Sequence, residues 1–201
     1  MQLNRKDHLI ISNIVKNNSR VLDIGCADGT LLKILKSNKN ISGQGIEIDH
    51  KKVEICLRKG LSVVEGDANN EIKNFPDHSF DYVILSQTLQ TVSKPKLILN
   101  EILRVSRHAI ISFPNFGHWL CRLQLFFFGK MPVTQDLKLS WYDTQNIHLC
   151  TMRDFFELLE DMKLNPKEIY GITRNKKVIK SNRIFLNIFA AHAVLVVEKS
   201  S

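Results

Sequence analysis

Short apolar runs alternate along this chain with stretches whose apolar positions recur every three to four residues. Ile10, Ile11, Ile14 and Val15 fall on one side of a helix and predict an amphipathic lead-in helix within residues 1–18. Arg20-Val21-Leu22-Asp23-Ile24 then reads as a strand, and the next helix turns Leu31, Leu32 and Leu35 inward. A second strand is predicted over 45–48, with Asp49 as the N-cap of a helix over 50–59 that Gly60 closes. A third strand covers 61–65, and the turn Pro76-Asp77-His78-Ser79 leads into a fourth over 80–85. Pro95 suits the first turn of a helix reaching Val105, and 109–113 is the fifth strand. Five strand–helix units in about 110 residues imply a parallel sheet with helices on both faces.

The last part of the chain has a different pattern. A long connection, 114–150, precedes a capping box at Thr151-Met152-Arg153-Asp154 and a helix through Met162. Strands over 169–172 and 193–197 follow, joined by a basic loop and no helix, so they are expected to be antiparallel. The predicted architecture is α/β: a Rossmann-like, doubly wound, seven-stranded mixed sheet with its last strand antiparallel.

Length and composition narrow the class. A chain of 201 residues suits one domain, so 1–201 is read as a single unit. With 44% hydrophobic and 24% charged residues, disorder, collagen and coiled coil are excluded. The greasiest stretch, 123–128, is far below the ~18 residues of a membrane span. The first seven residues lack a signal-peptide pattern, so a cytoplasmic protein is expected. Cys26, Cys56, Cys121 and Cys150 form no C-x-x-C pair and read as free thiols, with no metal site expected. The net charge of +8 is spread thinly. Its one cluster, Arg174, Lys176, Lys177, Lys180 and Arg183, has no interleaved aromatic residue, so a solvated loop is favoured over nucleic-acid binding.

The chemistry concentrates at strand ends. Gly25-Cys26-Ala27-Asp28-Gly29 follows the first strand, where glycines allow a sharp turn and let a ligand approach the backbone. The spacing is G-x-A-x-G and not the dinucleotide pattern G-x-G-x-x-G. Asp23 before the turn and Asp28 inside it would repel a pyrophosphate but suit a sulfonium and an ammonium, which favours S-adenosylmethionine over NAD. Glu47, 18 positions after Gly29, stands where an acidic acceptor for ribose hydroxyls is expected. Asp67 and Ala68 follow the third strand, where a carboxylate can accept the adenine amine, and Ser86-Gln87 end the fourth at the same lip. The predicted cofactor set is therefore Asp23, Gly25, Ala27, Gly29, Glu47, Asp67, Ala68, Ser86 and Gln87. His118 and His148 in the long connection are the candidates for a general base.

From Arg20 to Glu198 the chain resembles the class I S-adenosylmethionine-dependent methyltransferase fold, in which these positions hold the methionine, ribose and adenine parts of the cofactor. Longer segments are similar to the MetW family of methionine biosynthesis proteins. They include Asp81-Tyr82-Val83-Ile84-Leu85-Ser86-Gln87-Thr88-Leu89-Gln90, Ser112-Phe113-Pro114-Asn115-Phe116-Gly117-His118-Trp119 and Trp141-Tyr142-Asp143-Thr144-Gln145-Asn146-Ile147-His148-Leu149-Cys150-Thr151. This resemblance implies S-adenosylmethionine or S-adenosylhomocysteine as ligand and homoserine O-acetyltransferase as partner. Two functions stay open at this stage: an accessory protein of that acyltransferase, and a stand-alone methyltransferase of a small molecule, less readily of RNA. Trp119, Arg122, Trp141 and Tyr142 are the expected partner anchors.

Overall fold

The computed structural model describes residues 5–134, 137 and 139–199. Its strands are β1 (Arg20–Ile24), β2 (Ser42–Glu47), β3 (Ser62–Glu65), β4 (Phe80–Ser86), β5 (Ser106–Pro114), β6 (Pro166–Ile172), β7 (Val178–Ile179) and β8 (His192–Glu198). The helices are α1 (Lys6–Ile14), α2 (Thr30–Lys39), α3 (His50–Arg58), α4 (Ala68–Glu71), α5 (Pro95–Val105), α6 (Trp119–Phe128), α7 (Met152–Asp161) and α8 (Arg183–Phe189). The strands form one sheet in the order β3-β2-β1-β4-β5-β8-β6-β7. The first five are parallel, while β8 runs antiparallel to both β5 and β6.

Both faces of the sheet are buried, as its period-2 pattern requires. Leu22, Ile24, Val83, Leu85, Ile111 and Leu195 join one core with residues of α5, α7 and α8. Their neighbours Val21, Tyr82, Ile84, Ile110 and Val194 join a second core with residues of α1, α2 and α3. From β1 the chain winds outward through β2 and β3, then crosses back to β4 and β5. The carboxyl ends of β1 and β4 therefore flank the point where strand order reverses, which is where ligands bind in open parallel sheets.

The C-terminal third departs from the expected pattern in three ways. The 114–150 connection contains α6, capped by the His118 side chain, instead of being loop throughout. The supposed basic loop holds an edge strand, β7, and a helix, α8, whose N-cap Asn182 accepts from the Phe185 N–H. The sheet thus has eight strands, the seven expected plus two-residue β7. The helix does not reverse the β6–β8 pairing, because α8 folds back over β6. A Cβ on Gly171 would lie 2.8 Å from the side chains of Ala190 and Leu186. Two of the basic residues serve this packing: Lys180 sits over the Tyr170 ring, and Arg183 covers Phe156 while pairing with Glu160.

Candidate functional site

A cavity of about 580 Å³ opens at the carboxyl ends of β1, β2, β3 and β4, within the ~300–1,000 Å³ of small-molecule sites. Eight of the nine predicted residues line it: Asp23, Gly25, Ala27, Glu47, Asp67, Ala68, Ser86 and Gln87. Gly29 does not. Its left-handed backbone (φ +70°) begins α2, and a Cβ there would lie 2.4 Å from Leu61 and 2.9 Å from the Cys56 thiol. Gly29 lets the turn pass close to α3, whereas Gly25 (φ +69°) leaves room for Thr88 at the cavity wall. Ala27 between them is also left-handed, at φ +49°, a conformation costing a side-chain-bearing residue roughly 1–2 kcal/mol.

Glu47 holds that strained turn in place. It is buried at the end of β2; its Oε2 accepts from the Ala27 N–H at 2.8 Å, and its Oε1 accepts from the Ile48 and Asp49 N–H groups at 3.0 Å each. A carboxylate has about four acceptor positions, so three are used and Oε2 retains one for a ligand hydroxyl. Asp28 pairs with Lys59, whose Nζ lies 2.8 Å from Oδ2, and also accepts from the Thr30 hydroxyl and N–H. Asp67 caps α4, its Oδ1 accepting from the Asn69 N–H and side-chain amide.

Asp23 is the electrostatic outlier. It is 2% exposed, and its Oδ1 is buried without a hydrogen-bond partner among the described residues. Burial pushes its carboxyl up to about 7; Glu47 and Asp7 push the same way, and Arg5 opposes them. A buried polar atom left unpaired is costly, and a cationic ligand would relieve that cost. The other carboxylates suit the same charge: Asp23, Asp28, Glu47, Asp49 and Asp67 all line the cavity. A ligand carrying ammonium or sulfonium fits this donor and acceptor set, and a pyrophosphate does not.

The N-terminal helix and its N-cap, Arg5, supply residues that the sequence pattern does not reveal. Arg5 and His8 line the cavity, and Asp7 lies buried behind them. Asp7 Oδ2 accepts from the hydroxyls of Ser86 (3.1 Å) and Ser112 (3.2 Å), and both carboxylate oxygens accept from Arg5. Burial works against this carboxylate's charge, but Arg5 holds it below the usual carboxylate range. Burial and the Arg5 charge lower His8 to about 4, so at neutral pH its ring is uncharged.

His118 and His148 are not in the cavity lining. His118 is buried at the start of α6, where its Nδ1 accepts from the Leu120 N–H. The His148 N–H donates to the Gln90 carbonyl and ties the long connection to the turn after β4. That connection forms one wall of a second hollow, of about 900 Å³, lined by Phe116, Met131, Trp141, Asp143 and Ile147 among others. Gln87, Thr91 and Gln145 line both hollows, so the two are adjacent and share this wall.

Solved structures share this architecture. A SAM-dependent methyltransferase from Thermotoga maritima aligns with a TM-score of 0.70 at 17% identity, covering 97% of this chain and 88% of that one. One from Archaeoglobus fulgidus gives 0.67 at 18%, covering 96% and 94%. The [4+2]-cyclase SpnF gives 0.67 at 14%, covering 96% and 80%. Together with the strand order and the crevice, these place the chain in the SAM-dependent methyltransferase fold class, a fold that by itself does not dictate the reaction.

Within that class the family is defined by sequence. Residues 5–197 match the family model described as methionine biosynthesis protein MetW, and the chain belongs to this family. It is also 31% identical over 192 residues to the bifunctional methionine biosynthesis protein MetXA/MetW of Rhodopirellula baltica. That match covers 90% of this chain and 31% of the bifunctional protein, so the chain spans about a third of its relative's length.

Proposed function

We propose that this protein binds S-adenosylmethionine or S-adenosylhomocysteine in the cavity and acts together with homoserine O-acetyltransferase in methionine biosynthesis. The observation that carries the reading is the family membership, combined with a relative in which a MetW part is joined to a MetXA part in one protein. The cavity supports the ligand half. Glu47 Oε2 would take a ribose hydroxyl, Asp67 and Ala68 would face the adenine, and Asp23 with Gly25 and Ala27 would meet the amino-acid end.

The ligand half predicts a pH dependence. Asp23, faced by Arg5 at the N-cap of α1, by Asp7 from α1 and by Glu47 from β2, is largely protonated below about 7 in the free protein. An ammonium favours the ionised carboxylate, so binding expels a proton there. Affinity is therefore expected to fall as pH drops below about 7, by at most about ten-fold per unit, and to level off above it. Calorimetric titrations with S-adenosylhomocysteine between about pH 5 and 8 read this out. The Asp23→Asn variant should bind more weakly with a flatter profile.

The partner half is supported by an exposed apolar surface. On α6 only Cys121 is buried, while Phe126 is 81% and Phe128 72% exposed; Trp141 is 72% and Tyr142 70% exposed nearby in sequence. Aromatic anchors of this kind carry most interface energy. Arg122 is a poorer test position, because its Nε donates to the Gly117 carbonyl within the α6 cap. Phe126→Ser and Trp141→Ala are each expected to weaken association with homoserine O-acetyltransferase by about 1–3 kcal/mol, with ligand binding retained. Sedimentation of the mixture, with the acyltransferase rate measured alongside, gives the outcome. Absence of any complex and of any rate change with the parent protein would remove this partner.

The stand-alone methyltransferase is the second reading, favoured by a second hollow that adjoins the cavity at Gln87, Thr91 and Gln145, where an acceptor could sit. Methyl transfer to a metabolite, with no acyltransferase complex, would select it.

A further inference from the structure

Trp141 and Tyr142 belong to a segment, 139–150, that contains turns but no helix or strand. Their rings stand edge to face with centroids 5.6 Å apart. They ride on a turn in which the Ser140 carbonyl accepts from the Asp143 and Thr144 N–H groups. Two supports connect this aromatic turn to the acidic cavity. The first is Gln145, directly after the turn, which lines the cavity and is itself exposed. The second is the turn 87–91 that follows β4. There the Gln90 carbonyl accepts from the Ile147 N–H at 2.8 Å and the His148 N–H at 3.0 Å, while Gln87, Thr88 and Thr91 line the cavity.

The two supports differ in how firmly they are held. The turn 87–91 is braced from within. The Gln90 amide donates to the Gln87 carbonyl at 2.8 Å, and the Thr91 hydroxyl and N–H donate to the Thr88 carbonyl at 2.8 and 2.9 Å. Gln145 stands among exposed neighbours instead: Trp141, Tyr142, Asp143 and Ile147 all face solvent. Fixing an exposed, rotamer-rich side chain and the backbone around it costs conformational entropy. The Gln145 amide offers donors and an acceptor to a ligand in the cavity. A ligand that engages it bears that ordering cost before a partner arrives, and the partner then docks on a turn already in place. A ligand shifts a docking equilibrium only through contacts that differ between the free and docked arrangements, and Gln145 supplies such a contact.

We propose that the cavity ligand regulates partner docking: an adenosyl compound in the acidic cavity fixes Gln145, and through it the turn bearing Trp141 and Tyr142, and so strengthens association with homoserine O-acetyltransferase. This rests on the ligand and partner readings above and adds a coupling between them. By linkage, the acyltransferase strengthens ligand binding by the same factor.

The test is the affinity for homoserine O-acetyltransferase, measured by calorimetry with and without S-adenosylhomocysteine. This compound has no methyl group to transfer, so the change reports binding alone. At saturating ligand the parent complex should tighten about ten-fold. Gln145→Ala, compared at a ligand concentration that saturates it, should tighten by less than about two-fold. Glu47→Ala, at a concentration that saturates only the parent, should not tighten at all, which excludes an action of the ligand on the acyltransferase itself. A complex that a bound ligand leaves unchanged or weakens overturns the coupling and leaves the ligand and partner readings standing. Full tightening in Gln145→Ala or in Glu47→Ala overturns it as well. A parent protein that binds no ligand, or forms no complex, overturns the corresponding reading and the coupling with it.

Discussion

Replacing Glu47 by alanine is expected to weaken S-adenosylmethionine binding by about 2–4 kcal/mol, roughly a 30- to 700-fold rise in Kd. Two losses combine. A hydroxyl of the ligand loses a charged acceptor, typically about 1.5–3 kcal/mol. The Ala27, Ile48 and Asp49 N–H groups also lose theirs, so the left-handed turn at Ala27 is no longer braced. Glu47→Gln separates these losses. Glutamine can present its oxygen to Ala27 or to Ile48 and Asp49, but its amide nitrogen then opposes an N–H on the other side. Its affinity should fall between those of the parent and the alanine variant. Calorimetry with circular dichroism as a folding check measures both, and unchanged affinity in a folded Glu47→Ala protein would take Glu47 out of the site.

The largest effect on stability is expected at Asn115, outside the cavity. Its side chain is 2% exposed and joins four backbone groups. The amide donates to the carbonyls of Asn187 (2.9 Å) and Ala190 (2.8 Å), and the Oδ1 accepts from the N–H groups of Gly117 (2.9 Å) and Met152 (3.1 Å). One residue at the end of β5 thereby fixes the entry to α6, the start of α7 and the end of α8. Asn115→Ala leaves those four groups without that partner, at about 1–3 kcal/mol for each that stays buried. After partial relaxation the loss should be about 3–5 kcal/mol, lowering the thermal midpoint by roughly 6–20 °C. A loss below about 1 kcal/mol by denaturant unfolding would show that water or rearrangement replaces the network.

The parts of this molecule legible in the sequence are those whose signal is local. The strands around β1 read correctly because both sheet faces are buried and each strand is a short apolar run between turns. Asp49 and the Thr151–Asp154 box mark helix starts through residues two or three positions away, and the structure has both caps. Asp23, Glu47, Asp67 and Ser86 converge because parallel strands put their carboxyl ends side by side. What the sequence concealed depends on distant pairing or on inverted polarity. Arg5-Lys6-Asp7 looks like the solvated start of an amphipathic helix, yet the partners of Asp7 lie 79 and 105 residues away. Helix α6 has no amphipathic period, because its apolar side chains largely face outward. Charge dominates the run from Arg174 to Arg183 and masks the helix start carried by Asn182 followed by Ile184, Phe185 and Leu186.

The central claim is that the acidic cavity takes a cationic adenosyl ligand. The most direct measurement is a calorimetric titration of the purified protein with S-adenosylmethionine, S-adenosylhomocysteine and NAD, side by side. One-to-one, saturable binding of the first two and none of NAD is the expected result. Binding of NAD in their place, or no binding of either adenosyl compound by a folded protein, would contradict it.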